Sequence, residues 1–308
     1  MALLFRSSGQ RARIWHHVFA EHRPDCPLLT QITPETAPSV RYLVAWMPEP
    51  DIIAALPNLK VIFSIGAGID QFGPGEVPEG VTLVRMIEPG LTRSVVNYAV
   101  MAVLMLQRDM PAYRAQQQAG QWLAHPVRDP EATRVGIMGL GVLGQASGAA
   151  LTALGFPVSG WARSTRQIAG ITTYAGQEQL PEFLAESDIC VCLLPLTATT
   201  RGILSRAVLD RLPRGAGLVH LGRGGHLAAA DLIAALDDGQ LSGAVLDVTD
   251  PEPLPAHDPL WHDPRIIVTP HIAGQTRAES SAMATLDNIA LHERGLAMIG
   301  VVSQAAGY

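Results

Sequence analysis

Short, nearly continuous apolar runs punctuate the chain at 2–6, 42–46, 59–65, 81–86, 135–138, 156–161, 189–194, 217–221, 244–248 and 266–269, with a weaker candidate at 27–32. Apolar and polar residues do not alternate within them, so each predicts a strand buried on both faces, as in a parallel sheet. Segments of helical period lie between them, at 11–21, 50–56, 142–154, 178–187, 200–212 and 228–238, with a last one at 275–295. Residues 92–118 predict one long helix, straight or bent, that carries the chain out of a first, smaller domain. Alternating strands and helices are the pattern of α/β folds with helices on both sheet faces. A length of 308 residues suits about two such domains.

One stretch carries the first chemical signal. Residues 134–166 read RVGIMGLGVLGQASGAALTALGFPVSGWARSTR. A strand ends at Gly139, and Gly139, Gly141 and Gly144 form G-x-G-x-x-G. A helical segment from Val142 to Leu154 follows, then Gly155 and a second strand. Strand, glycine turn, helix and strand in that order is the context a dinucleotide fingerprint requires. The first glycine permits the sharp turn, the second lets a pyrophosphate approach bare backbone, and the third lets the helix pack close to the sheet. The phosphates would meet unpaired N–H groups at the positive end of the helix dipole, where Val142 and Leu143 stand. An NAD site usually places an acid about 20 residues beyond the glycines, on the ribose 2′-OH. No acidic residue occurs between Glu131 and Glu178; the second strand leads instead into Arg163, Ser164, Thr165 and Arg166. Guanidinium and hydroxyl groups make charge-assisted bonds to a 2′-phosphate, and the missing carboxylate removes a repulsion. The expected cofactor is NADPH, with NADH the weaker alternative.

Composition narrows the partners. A formal charge of −6, with 48% apolar and 16% charged residues, argues against nucleic acid or an acidic membrane surface. The cysteines are Cys26, Cys190 and Cys192. No Cys/His spacing resembles a zinc site and three cysteines do not make a disulfide framework, so no metal is expected. The apolar run in MALLFRSSG is too short for a signal peptide, and the run 95–106 falls short of a membrane span and suits a buried core helix. A soluble cytoplasmic protein is expected.

Ligands of doubly wound sheets bind at the carboxyl ends of strands. Arg223 follows the run GLVHL, Asp247 lies within AVLDV, Glu252 stands just beyond it in DPEPLP, and His271 follows IIVTP. Arg, Glu and His delivered by separate strands to one edge suit the reduction of a 2-oxo acid. Imidazole can protonate the carbonyl oxygen, a carboxylate on its other nitrogen fixes the tautomer, and a guanidinium can hold the substrate's carboxylate in two parallel bonds.

With these residues in view, the chain resembles the D-isomer-specific 2-hydroxyacid dehydrogenase family over nearly its whole length. The matching segments are LKVIFSIGAGID, GLGVLG, LPLTATTRGIL, VHLGRGGHL, LDVTDPEPLP and DPLWHDPRIIVTPHIAG. Within the family, VAWMP, SIGAGID, GIMGLGVLG, GWARS and the C-terminal AGY resemble the glyoxylate/hydroxypyruvate reductase branch. The resemblance implies two doubly wound parallel-sheet domains: a Rossmann-type dinucleotide-binding domain, 94–277, and a smaller flavodoxin-like substrate domain, 1–93, completed by 278–308. It implies a catalytic trio of Arg223, Glu252 and His271, with Asp247 near the nicotinamide carboxamide. Leu194, Pro195 and Thr200 would border the adenosine side, with Leu221, Gly222 and Gly274 as further cofactor contacts. Backbone N–H groups of Ala67 and Gly68 would hold the substrate carboxylate, beside Trp46. A homodimer formed through the nucleotide domain, with 92–118 in the contact, is also implied. The expected reaction is NADPH-dependent reduction of a small 2-oxo acid, glyoxylate or hydroxypyruvate. The alternatives are a bulkier 2-keto acid such as phenylpyruvate, or a non-catalytic, corepressor-like dinucleotide sensor on the same fold. Three departures stand out: His220 and Gly222 where the family more often has Asn and Ala, Asn97 in place of a frequent glutamate, and Arg163-Ser164 in place of an acid.

Overall fold

The computed structural model describes residues 1–7, 9–69, 71–72 and 75–302. Asp70, the last residue of SIGAGID, and the C-terminal AGY lie outside the described residues. The chain forms two compact units, one made of residues 1–91 together with the segment from Gly274 onward, the other of 92–273.

The first unit opens with β1 (Ala2–Arg6), α1 (Gly9–His22), β2 (Leu28–Leu29), β3 (Val40–Ala45), α2 (Pro50–Ala54), β4 (Val61–Ser64) and β5 (Thr82–Val84). The strands are all parallel, in the order β2-β1-β3-β4-β5. This is the flavodoxin-like winding, in which the chain reverses direction across the sheet next to β1.

The chain continues through α3 (Pro89–Gln107) and α4 (Met110–Gln118) into β6 (Val135–Met138), α5 (Val142–Ala153), β7 (Val158–Ala162), β8 (Thr172–Ala175), α6 (Leu180–Ala185), β9 (Ile189–Cys192), α7 (Arg206–Leu209), β10 (Ala216–His220), α8 (Ala229–Asp237), β11 (Leu241–Leu246) and β12 (Ile266–Val268). These seven strands form one parallel sheet, β12-β11-β10-β9-β6-β7-β8. The order switches at β6, which has β7 on one side and β9 on the other, so the glycine turn after β6 sits at the switch point where such sheets bind ligands. Finally α9 (Ala278–Glu293) returns to the first unit, where Ala282, Leu286 and Ile289 share a core with Trp15 and Phe19.

By length and composition α3 could cross a membrane; its 19 residues extend the apolar run seen in the sequence. In the second unit it acts as a core helix, laying Tyr98, Ala102, Val103 and Leu106 against Val135, Ile137, Val219 and Val245.

Three elements depart from the expectation. The long helix 92–118 is two helices, because the chain turns left-handed at Asp109 (φ +52°) and Pro111 has no N–H to continue the ladder. The edge strand β8 was not anticipated; only Tyr174 of its residues is buried, so it leaves almost no apolar signature. The helix expected over 200–212 is reduced to Arg206–Leu209. Gly202 N–H instead donates to the Gly225 carbonyl and Leu204 N–H to that of His226, both at 2.9 Å. Pairing with a distant segment therefore overrides local helix propensity.

Phe183 is fully buried in the larger core beside Met138, Trp161 and Tyr174. Phe183→Ala is expected to cost about 3–5 kcal/mol, read as a lower midpoint in urea unfolding.

Candidate active site

The cradle after β6 has the geometry that its glycines imply. Gly139 has φ +105°, a left-handed conformation that disfavours any side chain. Gly144 packs so closely that a Cβ there would lie 1.9 Å from the Gly139 carbonyl oxygen, a backbone atom that cannot yield. Above Gly141, by contrast, a Cβ would meet nothing within 4 Å among the described residues. Gly141 is the N-cap of α5 and makes no side-chain cap, and the first turn carries no acidic residue. Open space over uncapped N–H groups at a helix N-terminus fits a dinucleotide's pyrophosphate. Val142 is exposed and Leu143 half-buried at the same turn.

Arg163, Ser164 and Arg166 follow β7, the neighbour of β6, and all three are exposed. On the other side of β6, Leu194 and Pro195 follow β9. The Pro195 carbonyl accepts a 2.7 Å bond from Thr200 Oγ1, so Thr200 folds back onto the loop that carries the other two.

Loops after β10, β11 and β12 carry the candidate catalytic groups. Arg223 is half-buried and donates from Nη1 to the Gly222 carbonyl at 2.8 Å. Gly224 lies so near the next loop that a Cβ would be 2.0 Å from the carbonyl of Thr249. Thr249 N–H in turn donates to Glu252 Oε1 at 3.1 Å. The other oxygen of Glu252 is 2.9 Å from Nδ1 of His271. His271 has φ +53°, in the left-handed region that a non-glycine residue seldom adopts.

Asp247 explains how that backbone is held. It is 2% exposed, immediately after β11. Oδ1 accepts from Thr269 Oγ1 (2.7 Å) and Ile272 N–H (2.8 Å), and Oδ2 from Ala273 N–H (2.8 Å). The turn carrying His271 is thus wrapped around one buried carboxylate. Gly274, expected at the cofactor, begins the segment grouped with the first unit.

Within that first unit, Trp46 and the 66–68 loop are neighbours. A Cβ on Gly66 would lie 2.5 Å from the Trp46 ring. Ser64 Oγ donates to the Gly68 carbonyl at 3.2 Å, and Gln71 Nε2 donates to the Trp46 carbonyl at 3.0 Å. Ala67 and Gly68 are half-buried, and Trp46 is exposed.

Comparison with known proteins gives this arrangement a family. Residues 100–273, more than half of the chain, match the sequence profile described as D-isomer specific 2-hydroxyacid dehydrogenase, NAD binding domain. A glyoxylate/hydroxypyruvate reductase A of Yersinia enterocolitica is 35% identical, with 100% of both chains covered. One from Salmonella paratyphi B is 39% identical over 87% of each. The chain belongs to the D-isomer specific 2-hydroxyacid dehydrogenase family. Among solved structures, a family member from Xanthobacter autotrophicus Py2 in complex with NADPH and MES superposes with a TM-score of 0.94, at 34% identity and covering 100% of this chain and 99% of that one. An NADPH-dependent glyoxylate/hydroxypyruvate reductase from Sinorhizobium meliloti, in complex with NADP and sulfate, gives 0.90 at 34% identity, with 100% and 99% covered. As a 2-hydroxyacid dehydrogenase, the chain is an NAD(P)-dependent oxidoreductase.

Sequence reasoning missed several residues that adjoin the candidate groups. Gly224 and Gln71 act through close approach and a loop tie that no motif announces, although the glycine pair after Arg223 was a signal for the first. It also missed a buried trio, Cys192, His220 and His226, whose potential ligand atoms lie within 4.8 Å of one another. Their positions share no zinc-like spacing in the sequence. His220 Nε2 and both nitrogens of His226 already face main-chain partners, and burial pushes the Cys192 thiol up to about 12, so the trio is not a ready thiolate site.

Burial, helped by the adjacent His226, pushes His220 down to about 3. The unfolded chain therefore binds a proton below about 6.5 that the folded chain refuses, and stability falls with pH between these values. His220→Gln should remove on the order of 1–2 kcal/mol of the stability lost between pH 7 and pH 5, measured by urea unfolding at both values.

Proposed function

We propose that this dehydrogenase reduces a small 2-oxo acid, glyoxylate or hydroxypyruvate, to the 2-hydroxy acid with NADPH. The observation that carries the reading is the Glu252–His271 hydrogen bond at the carboxyl edge of the sheet that also bears the dinucleotide cradle. NADPH, when bound, supplies the hydride. Glu252 accepts the Nδ1–H of His271, which fixes the tautomer and leaves Nε2 to deliver a proton to the carbonyl oxygen. Arg223 pairs with the substrate carboxylate and steadies the charge that develops on that oxygen. Trp46 and the N–H groups of Ala67 and Gly68 are the proposed substrate contacts of the first unit. The unit 92–273 is the proposed cofactor domain, with Leu194, Pro195, Thr200, Leu221, Gly222 and Asp247 as contacts beyond the cradle.

Arg163, Ser164 and Arg166, exposed beside the cradle with no acid near them in sequence, support NADPH over NADH. The NADPH and NADP named in the Xanthobacter and Sinorhizobium structures support it too. The named activity of the Yersinia and Salmonella relatives supports glyoxylate and hydroxypyruvate as substrates.

His271→Ala should lower kcat by about 10²–10⁴-fold while NADPH still binds within about twofold of wild type, followed by fluorescence titration. Near-normal turnover would remove His271 from the mechanism. A panel of 2-oxo acids assayed with both cofactors checks the rest: kcat/KM should be higher with NADPH, and a higher value with NADH would reject the cofactor assignment.

The proposed homodimer is supported by an apolar groove on the second unit, lined by Val100, Met101, Leu104, Met110, Ala153 and Leu154. Four of these, Met101, Leu104, Met110 and Leu154, are exposed large apolar residues. Light scattering should give twice the chain mass, and Met101→Asp with Leu104→Asp should give the monomer; a wild-type monomer at micromolar concentration would reject the dimer.

A further inference from the structure

Two buried histidines that the proposed chemistry does not use flank the main chain of Arg223. His220 Nε2 lies 2.9 Å from the Arg223 carbonyl oxygen, which can only accept, so Nε2 bears the proton. Arg223 N–H donates to His226 Nδ1 at 3.1 Å, so that nitrogen is the unprotonated one and the other ring nitrogen carries the hydrogen. His226 Nε2 then donates to the Pro195 carbonyl at 3.2 Å. The same carbonyl accepts from Thr200 Oγ1. Both rings are fully buried, 5.6 Å apart and inclined at 67°.

We infer that His220 and His226 are positioning residues for Arg223: two neutral imidazoles, both in the Nε2–H form, grip its carbonyl and its N–H, fix its main chain, and so set the aim of its guanidinium. The inference rests on the proposed role of Arg223 as the group that holds the substrate carboxylate.

Three further features fit this assignment. A second proton would have to face the Arg223 N–H at His226 Nδ1, or enter a buried space without a partner at His220 Nδ1. Among the described residues, His220 Nδ1 has no hydrogen-bond partner, and burial keeps that imidazole neutral far into acid. Gly222, just before Arg223, leaves no room for drift: a Cβ there would lie 2.9 Å from His226 Nδ1 and 3.1 Å from the Leu194 carbonyl. On the other side, Gly224 is packed against the Thr249 backbone. Arg223 is therefore held at both flanks by close approach and at its own peptide groups by hydrogen bonds. His226 also links it to the Pro195–Thr200 loop, which is the proposed border of the cofactor. The order of that loop and the aim of the substrate-holding arginine thus share one hydrogen-bonded chain.

The geometry allows each ring to be replaced one nitrogen at a time. A glutamine amide reaches where Nε2 sits, and an asparagine amide where Nδ1 sits. His220→Leu, His220→Gln, His226→Leu, His226→Asn and Arg223→Ala would be compared for kcat and KM with glyoxylate and NADPH, for NADPH binding by fluorescence, and for amide hydrogen exchange of the peptide containing Arg223. Both leucine variants should raise the KM for glyoxylate by about tenfold or more and speed exchange at Arg223; for His220→Leu, whose ring does not touch the Pro195–Thr200 loop, NADPH binding should stay within about twofold of wild type. His220→Gln, which restores the donor to the Arg223 carbonyl, and His226→Asn, which restores the acceptor for its N–H, should each return to within about threefold of wild type. Leucine variants with wild-type KM would overturn the inference, as would glutamine and asparagine variants that fall as far as leucine. Failure of the functional reading looks different: a wild type inert toward every 2-oxo acid, or an Arg223→Ala variant as active as wild type, removes the role of Arg223 and the inference with it.

Discussion

One buried carboxylate governs the geometry of the candidate catalytic edge. Asp247 is out of water, and an ionised carboxylate there is costly unless its oxygens are satisfied. Three donors satisfy them, and all three come from the turn after β12: Thr269 Oγ1, Ile272 N–H and Ala273 N–H. The turn cannot relax without leaving buried carboxylate oxygens short of donors. This is what keeps His271 at φ +53°, a conformation its own preferences oppose, with Nδ1 on Glu252. The unfavourable φ of His271 is balanced by hydrogen bonds from the residue two before it and from the two that follow it, so the stability of the turn and the placement of the imidazole depend on the same few atoms.

The remaining polar groups are brought together by backbone contacts that only glycine permits. The cradle closes because helix α5 sits on the Gly139 carbonyl at Gly144. The Arg223 loop meets the Thr249 loop at Gly224, and Thr249 meets Glu252. A parallel sheet delivers its loops side by side at one edge, about 4.8 Å apart from strand to strand, but it does not set the last ångströms between them. Side-chain-free positions do that here, and they are where a substitution would meet an immovable neighbour instead of a side chain that could turn aside.

The sequence made most strand positions and the catalytic candidates legible for a physical reason. Strands buried on both faces read as apolar runs, and the glycines at 139, 141 and 144 have few other uses between a strand and a helix. Arg223, Glu252 and His271 stood out because each polar residue directly follows or adjoins an apolar run. Elements whose shape is decided by distant partners were not legible. Residues 200–212 have helical composition, yet Gly202 and Leu204 bond to the 225–226 backbone. Strand β8 is stabilised by pairing with β7 rather than by its own apolar residues. The grip of Asp247 on 269–273 spans more than 20 residues of sequence and leaves no periodic trace.

The residues around Arg223 constrain one another sterically. A methyl group at residue 222 would press on the His226 ring at 2.9 Å, and that ring is pinned at both nitrogens, so it cannot swing away cheaply. Glycine at 222 therefore belongs with the present placement of His226. The His226 ring in turn packs edge-on to His220, whose own Nε2 is committed to the Arg223 carbonyl. An asparagine at 220 has a shorter reach than an imidazole, so the loop would have to move toward β10 to keep that bond. Gly222 makes room for the His226 ring, and His220 holds the Arg223 carbonyl from the strand, so that Arg223 is fixed from both sides.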